Sequence, residues 1–275
     1  MRTLQEMNLT KSPFVLMAIL NVTPDSFSDG GNYNSIEKAV DGAKNMISEG
    51  AHIIDIGGES TRPKAKPISL QEELDRAIPV IEQIRKFSDI PISIDTTKAM
   101  VAKAALYAGA DIINDISACT QDVNMTKVIL ELMPPTILMH RQGTPANMQD
   151  NPSYQNVVED VTSFLLQQAK KLESQGLAKN QIILDPGIGF GKTYEHNLAL
   201  IRGLSQLKTL GYDILLGVSR KSLFQKMLNA DLNDRTIGTA AVNIYAFSNG
   251  VRYFRVHDIK ANKQALETTK ILTGK

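Results

Sequence analysis

Apolar runs that stop abruptly at polar or glycine-rich turns recur along this chain. Phe14–Leu20 runs into Asn21, His52–Ile56 into Gly57, Pro91–Ile94 into Asp95 and Asp111–Ile113 into Asn114. Thr136–Met139 then meets His140, Ile182–Leu184 meets Asp185, Ile214–Val218 meets Ser219, and Val251–Val256 meets His257. Short uninterrupted runs of this kind read as strands covered on both faces, as in a parallel sheet. Helix-period segments separate them. Ile36, Ala39, Val40, Ala43 and Ile47 share one helical face, and Leu74, Ala77, Ile78 and Ile81 repeat the pattern. So do Val157, Val161, Phe164, Leu165 and Leu172, then Leu198, Ile201 and Leu204, and finally Ala261, Ala265, Leu266 and Leu272. Lys98–Tyr107, Met125–Leu132 and Thr236–Phe247 are less regular but also read as helices. This alternation predicts an α/β protein, a (β/α)8 TIM barrel forming a single domain over residues 1–275. An open doubly wound sheet is the alternative. It would leave unexplained why every strand ends in a chemically useful turn, whereas a barrel gathers those ends at one mouth.

Composition sets limits on function. The formal net charge is +1, so no broad attraction to nucleic acid or to an anionic membrane surface is expected. Any anion must be held by a local cluster. The only cysteine, Cys119, excludes an internal disulfide and fits a reducing compartment. It has no activating histidine beside it and should be an inert thiol. The opening residues lack a signal-peptide core, and no run reaches the roughly 18 apolar residues of a membrane span. A cytoplasmic location is the expectation.

The strand ends divide into two chemical groups. Asp95, Asn114, Asp185 and Lys221, with Met139 and Phe190 nearby, suit a flat heterocycle with a polar edge held between apolar faces. An aspartate is the natural partner of an amidine-like edge, where it accepts parallel N–H bonds. Asn21, Thr61, Arg62, Ser219, Arg255 and His257 form the second group. Loops after the seventh and eighth barrel strands often bind phosphate, and here they bring Ser219, Arg220, Arg255 and His257. For Asp95, Asn114 or Ser219 taken singly, capping of the next helix is about as good an account as ligand binding. Gly187–Lys192 is neither a dinucleotide fingerprint nor a P-loop, because the later ribose-binding acid and the GK[ST] ending are both missing.

Five motifs in order, Ile19–Gly31 (ILNVTPDSFSDGG), Gly57–Pro63 (GGESTRP), Asp185–Lys192 (DPGIGFGK), Ser219–Ser222 (SRKS) and Arg255–Asp258 (RVHD), resemble those of the dihydropteroate synthases, pterin-binding enzymes of bacterial folate biosynthesis. The resemblance spans nearly the whole chain. It implies a transferase that joins 6-hydroxymethyl-7,8-dihydropterin pyrophosphate to 4-aminobenzoate with help from Mg2+, is inhibited by sulfonamides and forms a homodimer. By the family's pattern, Asp95, Asn114, Met139, Asp185, Phe190, Lys221 and Arg255 hold the pterin. Asn21, Thr61, Arg62, Arg255 and His257 hold the pyrophosphate, with Asn21 on the metal. Phe27, Thr61, Pro63, Phe190, Lys221 and Ser222 surround the aminobenzoate. Catalysis falls to Asn21, Asp95, Asp185, Lys221, Arg255 and His257. Lys64 and Arg141 stand where the family usually has Gly and Met. The alternatives are the pterin barrel of a methyltetrahydrofolate methyltransferase, which needs no pyrophosphate site, a non-catalytic paralogue, and a Schiff-base aldolase using Lys221. The loops Asn21–Gly31 and Gly57–Lys66 are short of apolar anchors, so the pterin pyrophosphate is expected to order them before the acceptor binds.

Overall fold

Successive side chains of a strand point to opposite faces, so each apolar run serves two layers at once. In the computed structural model, which describes residues 1–23 and 32–274, the strands are β1 (Val15–Asn21), β2 (Ile53–Gly57), β3 (Ile92–Asp95) and β4 (Ile112–Asp115), then β5 (Thr136–Met139), β6 (Ile182–Asp185), β7 (Asp213–Leu216) and β8 (Tyr253–Val256). They pair in sequence order, all parallel, and β8 closes on β1. The helices are α1 (Asn32–Glu49), α2 (Leu70–Arg85), α3 (Ala99–Ala108), α4 (Met125–Leu132), α5 (Val157–Ser174), α6 (Tyr194–Arg202), α7 (Leu204–Lys208), α8 (Leu223–Leu228), α9 (Arg235–Ser248) and α10 (Ile259–Thr273). The barrel expected from the alternation is therefore present, and the open sheet is excluded.

The two faces of each run build two separate cores. Leu16, Ala18, Leu20, Ile54, Ile56, Ile94, Ile113 and Leu138 pack with helix residues such as Ala39, Ala77, Val80 and Leu165. Val15, Met17, Ile53, Ile112, Ile137, Ile183, Leu215 and Tyr253 form an inner cluster inside the ring. The N-terminal segment caps this inner cluster with Leu4, Met7 and Leu9. Arg2 fastens the plug through two 2.8 Å bonds to Asp111, the residue that also binds Arg85 and the Ile92 N–H.

One step further along each strand, the inward positions change character. Asp55 follows Ile53, Asn114 follows Ile112, Met139 follows Ile137, Asp185 follows Ile183 and Arg255 follows Tyr253. Asn21, Gly57, Asp95 and Asn114 lie on one continuous rung of the ladder, and Met139 lies opposite Asp185. The ring is thus an apolar plug at its N-terminal end and a polar chamber at its C-terminal end.

Two features depart from the periodicity. The segment around Leu198–Leu204 is divided at Gly203 into α6 and α7, and α8 precedes α9 without having shown in the pattern. In α10 the buried face is Ile259, Asn262, Leu266 and Thr269, while Leu272 is 81% exposed. Asn262 can turn inward because Asn243 donates to its side-chain oxygen at 2.8 Å and its own amide donates to Asp258 O, also at 2.8 Å.

The plug makes a test of the two-storey arrangement. Leu4→Ala should cost about 2–5 kcal/mol, the usual range for emptying a buried leucine position. Ligand affinity should stay unchanged, because Leu4 touches only the apolar end. Thermal unfolding together with a pterin-binding titration checks both halves.

Candidate active site

The chamber is organised around a charged side chain in the middle of a barrel. Arg255 donates from Nε to Asp55 at 2.6 Å and from Nη2 to Asp95 at 2.8 Å. Asp55 also receives the Asn114 amide, at 3.4 Å to each oxygen. Burial works against the charge on Arg255, but Asp55 and Asp95 outweigh it and raise its pKa. Asp95 is pushed up to about 7 by burial, against the pull of Arg255 and with added repulsion from Asp55, Glu73 and Asp115. Its Oδ1 is buried and, among the described residues, has no partner; neither does Ser93 Oγ on the same strand. An acceptor left open beside a fixed cation is a place for an incoming N–H.

Asp185 stands on the other side of the chamber and takes the Gly187 N–H at 2.7 Å. Burial raises its pKa, opposed first by Lys221 and then by that N–H bond. The turn that follows is built by close approach. Gly187 (φ +66) lies so near β5 that a Cβ would sit 1.9 Å from His140 O, and one on Gly191 (φ +65) would sit 2.4 Å from Gln142 O. The glycines therefore seat the β6 turn on the β5 turn. Lys192 pins the two together. Its ammonium lies 3.0 Å from His140 Nδ1 and 3.0 Å from Phe190 O. Burial lowers Lys192 to about 7, and burial with the nearby Lys192 charge lowers His140 to about 3, so a neutral imidazole accepts at Nδ1. Lys221 lies 4.6 Å from the centre of the Phe190 ring and donates to Ile188 O. Burial brings it down to about 8 despite Asp185.

The β7 and β8 ends meet at a third corner. Ser219 Oγ is 3.0 Å from His257 Nδ1 and accepts the His257 N–H at 3.1 Å. Burial, Arg255 and Arg220 lower His257 to about 4, and Arg62 adds to the same field. His257 is therefore neutral at pH 7. Arg220, read from sequence with the phosphate group, is bound to Asp258 through Nε at 2.9 Å and through Nη2, a pair that fixes the turn.

The loop after β2 is better held than its composition suggests. Arg76 donates to Gly58 O at 3.0 Å, Lys98 binds Glu59, and the Lys64 N–H reaches Pro145 O at 2.8 Å. Lys64 adopts φ +66, the left-handed backbone that most favours glycine. Arg141 is tied to Gln121. Thr61 lines a cavity of about 550 Å3 shared with Glu59, Asp95 and Thr96.

Direct contacts thus join Arg255 to Asp95 and Lys221 to Phe190, the ladder aligns Asn21 with Asn114 and Met139 with Asp185, and Arg62 reaches His257 through its field. Pro63 and Ser222 are exposed loop residues. Phe27 and the rest of 24–31 lie outside the described residues. Among the described residues no group of three or more His, Cys, Asp or Glu could hold a metal ion by itself. Sequence reading passed over Asp55, the His140–Lys192 pair and the Lys98 ion pairs. Asp55 had a usable signal, since a carboxylate inside a buried strand needs a partner.

Two histidines, His140 buried and His257 half-buried, give a pH test. Each has an ordinary value of 6.5, and the fold lowers His140 to about 3 and His257 to about 4. Their contribution to stability is full above the unfolded value and is lost as pH falls through the folded ones, with each unit worth about 1.4 kcal/mol. His140→Gln and His257→Gln should each flatten the loss of stability between pH 6.5 and 4. Denaturant titrations across that range check it, and unchanged slopes would contradict it.

Residues 17–257 match the family model described as pterin binding enzyme. A dihydropteroate synthase of Synechocystis sp. is 48% identical over 258 residues, covering 94% of this chain and 89% of the relative. A Clostridium difficile dihydropteroate synthase solved in the presence of pteroic acid superposes with a TM-score of 0.90 at 43% identity, covering 95% of this chain and 97% of that one. A Yersinia pestis dihydropteroate synthase solved with a sulfonamide drug complex gives a TM-score of 0.89 at 41% identity, covering 95% and 94%. With its family match and its close relatives both spanning almost the whole barrel, the chain belongs to the pterin-binding enzymes, among the dihydropteroate synthases.

Proposed function

We propose that the chamber binds the pterin ring and that its β7–β8 corner and the neighbouring loops carry the pyrophosphate and the arylamine. The enzyme is a transferase of folate biosynthesis, a dihydropteroate synthase. The reaction joins 6-hydroxymethyl-7,8-dihydropterin pyrophosphate to 4-aminobenzoate and gives 7,8-dihydropteroate and pyrophosphate. The observation that carries the reading is the open, buried oxygen of Asp95 beside Arg255. Three carboxylates, Asp55, Asp95 and Asp185, face two cations, Arg255 and Lys221. The excess of acceptors suits a ring edge rich in N–H donors, such as an aminopyrimidinone. Asn114, across the ladder from Asp95, and Met139, across from Asp185, complete the polar and apolar walls. The ligands of the Clostridium difficile and Yersinia pestis relatives, pteroic acid and a sulfonamide, support pterin and aminobenzoate as substrates and sulfonamides as inhibitors here.

The bond that breaks joins the pterin methylene to the pyrophosphate oxygen, and the bond that forms joins that carbon to the amine nitrogen. The electron-rich dihydropterin ring can share positive charge as the anion leaves. Asp95 and Asp185 lie against the ring and stabilise that charge. His257, neutral, and Arg62 face the departing phosphates. Thr61, Pro63, Phe190, Lys221 and Ser222, with Phe27, wall the acceptor. An arylamine is already neutral at pH 7, so no strong base is required, and one proton passes to solvent or phosphate after attack. Asn21 offers a hard amide oxygen on the same rung as Asp95, and magnesium needs few protein ligands when phosphates share its shell. Bound there, the ion would neutralise the leaving pyrophosphate.

Residues 1–275 are assigned to this one barrel, which acts as a homodimer in the cytoplasm. Exposed Ile237 and Tyr245 on α9, with Ile271 and Leu272 on α10, support a subunit contact. Among the described residues no helix is long and apolar enough to cross a membrane. The deciding experiment is pyrophosphate release from the pterin pyrophosphate with Mg2+. Release should require 4-aminobenzoate. Binding of methyltetrahydrofolate with no release would favour the methyltransferase barrel instead.

Asp185→Asn should lower pterin affinity by about tenfold or more, because a charged hydrogen bond is worth on the order of 1.5–3 kcal/mol. Calorimetry measures it, and unchanged affinity would leave Asp185 with a turn-building role only. Arg255→Lys should recover little activity, since one ammonium cannot reproduce two guanidinium bonds to Asp55 and Asp95. Full activity in this variant would show that charge alone suffices.

A further inference from the structure

The loop over residues 58–67 is tied to the Asp95 strand end through one side chain. Lys98 stands three residues beyond Asp95, and its own N–H is held by Thr96 Oγ1 at 3.1 Å. Its ammonium binds Glu59, at the start of the loop, and Glu73, on α2. Glu59, Thr61, Asp95 and Thr96 line one cavity, so the setting of this loop fixes the shape of the space beside Asp95. We propose that Lys98 is a positioning residue that holds the loop carrying Thr61, Arg62 and Pro63 over Asp95, and so sets affinity for the arylamine acceptor without touching it. This rests on the functional reading above.

The local electrostatics say which side moves when the tie is cut. Glu73 is 1% exposed, and its Oε1 has no partner among the described residues. Burial raises its pKa, and the Lys98 ammonium is the main force opposing that rise. Without Lys98, burial and the nearby Glu59 charge push Glu73 further toward its neutral form, and Glu59 loses the ammonium that holds it. Glu73 is fixed within a helix, whereas Glu59 lies in a loop and is partly exposed, so Glu59 relaxes and takes the loop with it. A purely helix-capping role does not account for the contact. Lys98 makes no side-chain cap on α3, whose Ala99 N–H is taken by Asp122 at 2.8 Å.

Lys98→Met, Lys98→Arg and Glu59→Gln separate the possibilities. In Lys98→Met, KM for 4-aminobenzoate should rise about tenfold while the calorimetric Kd for dihydropterin changes less than about twofold. Glu59→Gln should do the same, and the double variant should be no worse than Lys98→Met, in which the contact with Glu59 is already lost. Lys98→Arg should restore acceptor binding. Hydrogen exchange should quicken at 58–67 in Lys98→Met and stay unchanged at 92–95, a readout that needs no turnover. Equal losses for both substrates, unchanged acceptor KM, or unchanged exchange at 58–67 would overturn the proposal. Should Lys98→Met fail to fold, Glu59→Gln decides alone. Wild-type enzyme that releases no pyrophosphate would overturn the functional reading, while the exchange experiment would still judge the tie.

Discussion

The arrangement depends on a guanidinium placed inside a barrel between two carboxylates. Arg255 could not be buried there alone, because the cost of removing a charge from water exceeds what packing returns. Asp55 and Asp95 make it possible, and Asn114 completes the set by donating to Asp55. These groups come from β8, β2, β3 and β4, so the chamber can form only once the sheet has closed. The apolar plug beneath supplies the hydrophobic closure, and the polar storey above does not have to. This division lets the mouth of the barrel be built for chemistry.

A second constraint operates where β5 and β6 end. The β6 turn approaches β5 more closely than a side chain allows, and the lysine at its end reaches under it to His140. Asp185, Phe190 and Lys221 are set by that seating: Asp185 through the Gly187 N–H, Phe190 through its carbonyl on Lys192, and Lys221 through Ile188 O and the Phe190 ring. The aromatic ring under an ammonium gives one face of the site a mixed character, apolar in body and charged at the edge. A heterocycle and an arylamine can both use such a face.

The fold was legible because each strand ends where its chemistry begins. Asp95, Asn114, Asp185 and His257 close apolar runs, and a barrel gathers them without further information. Asp55 lay inside its run, and only the alternation of strand faces shows that it points the same way as Asp95. His140 and Lys192 are far apart in sequence, and no local pattern announces their contact. The pair of Arg220 with Asp258 was hidden because its members lie 38 residues apart. In α10 the apolar spacing misled, since Asn262 and Thr269 are buried with their polar groups satisfied by Asn243 and by the helix backbone. The loop at 57–66 looked unanchored because its anchors, Arg76, Lys98 and Pro145, lie elsewhere in the chain.

The account stands on the claim that Asp55 holds Arg255 and Asn114 so that Asp95 keeps one oxygen for the pterin. The direct measurement is the calorimetric affinity of dihydropterin for Asp55→Asn, a variant that removes one of the two charges holding Arg255. A loss of about tenfold or more, comparable to removing a charged hydrogen bond, is predicted. Wild-type affinity in a folded Asp55→Asn enzyme would contradict the account.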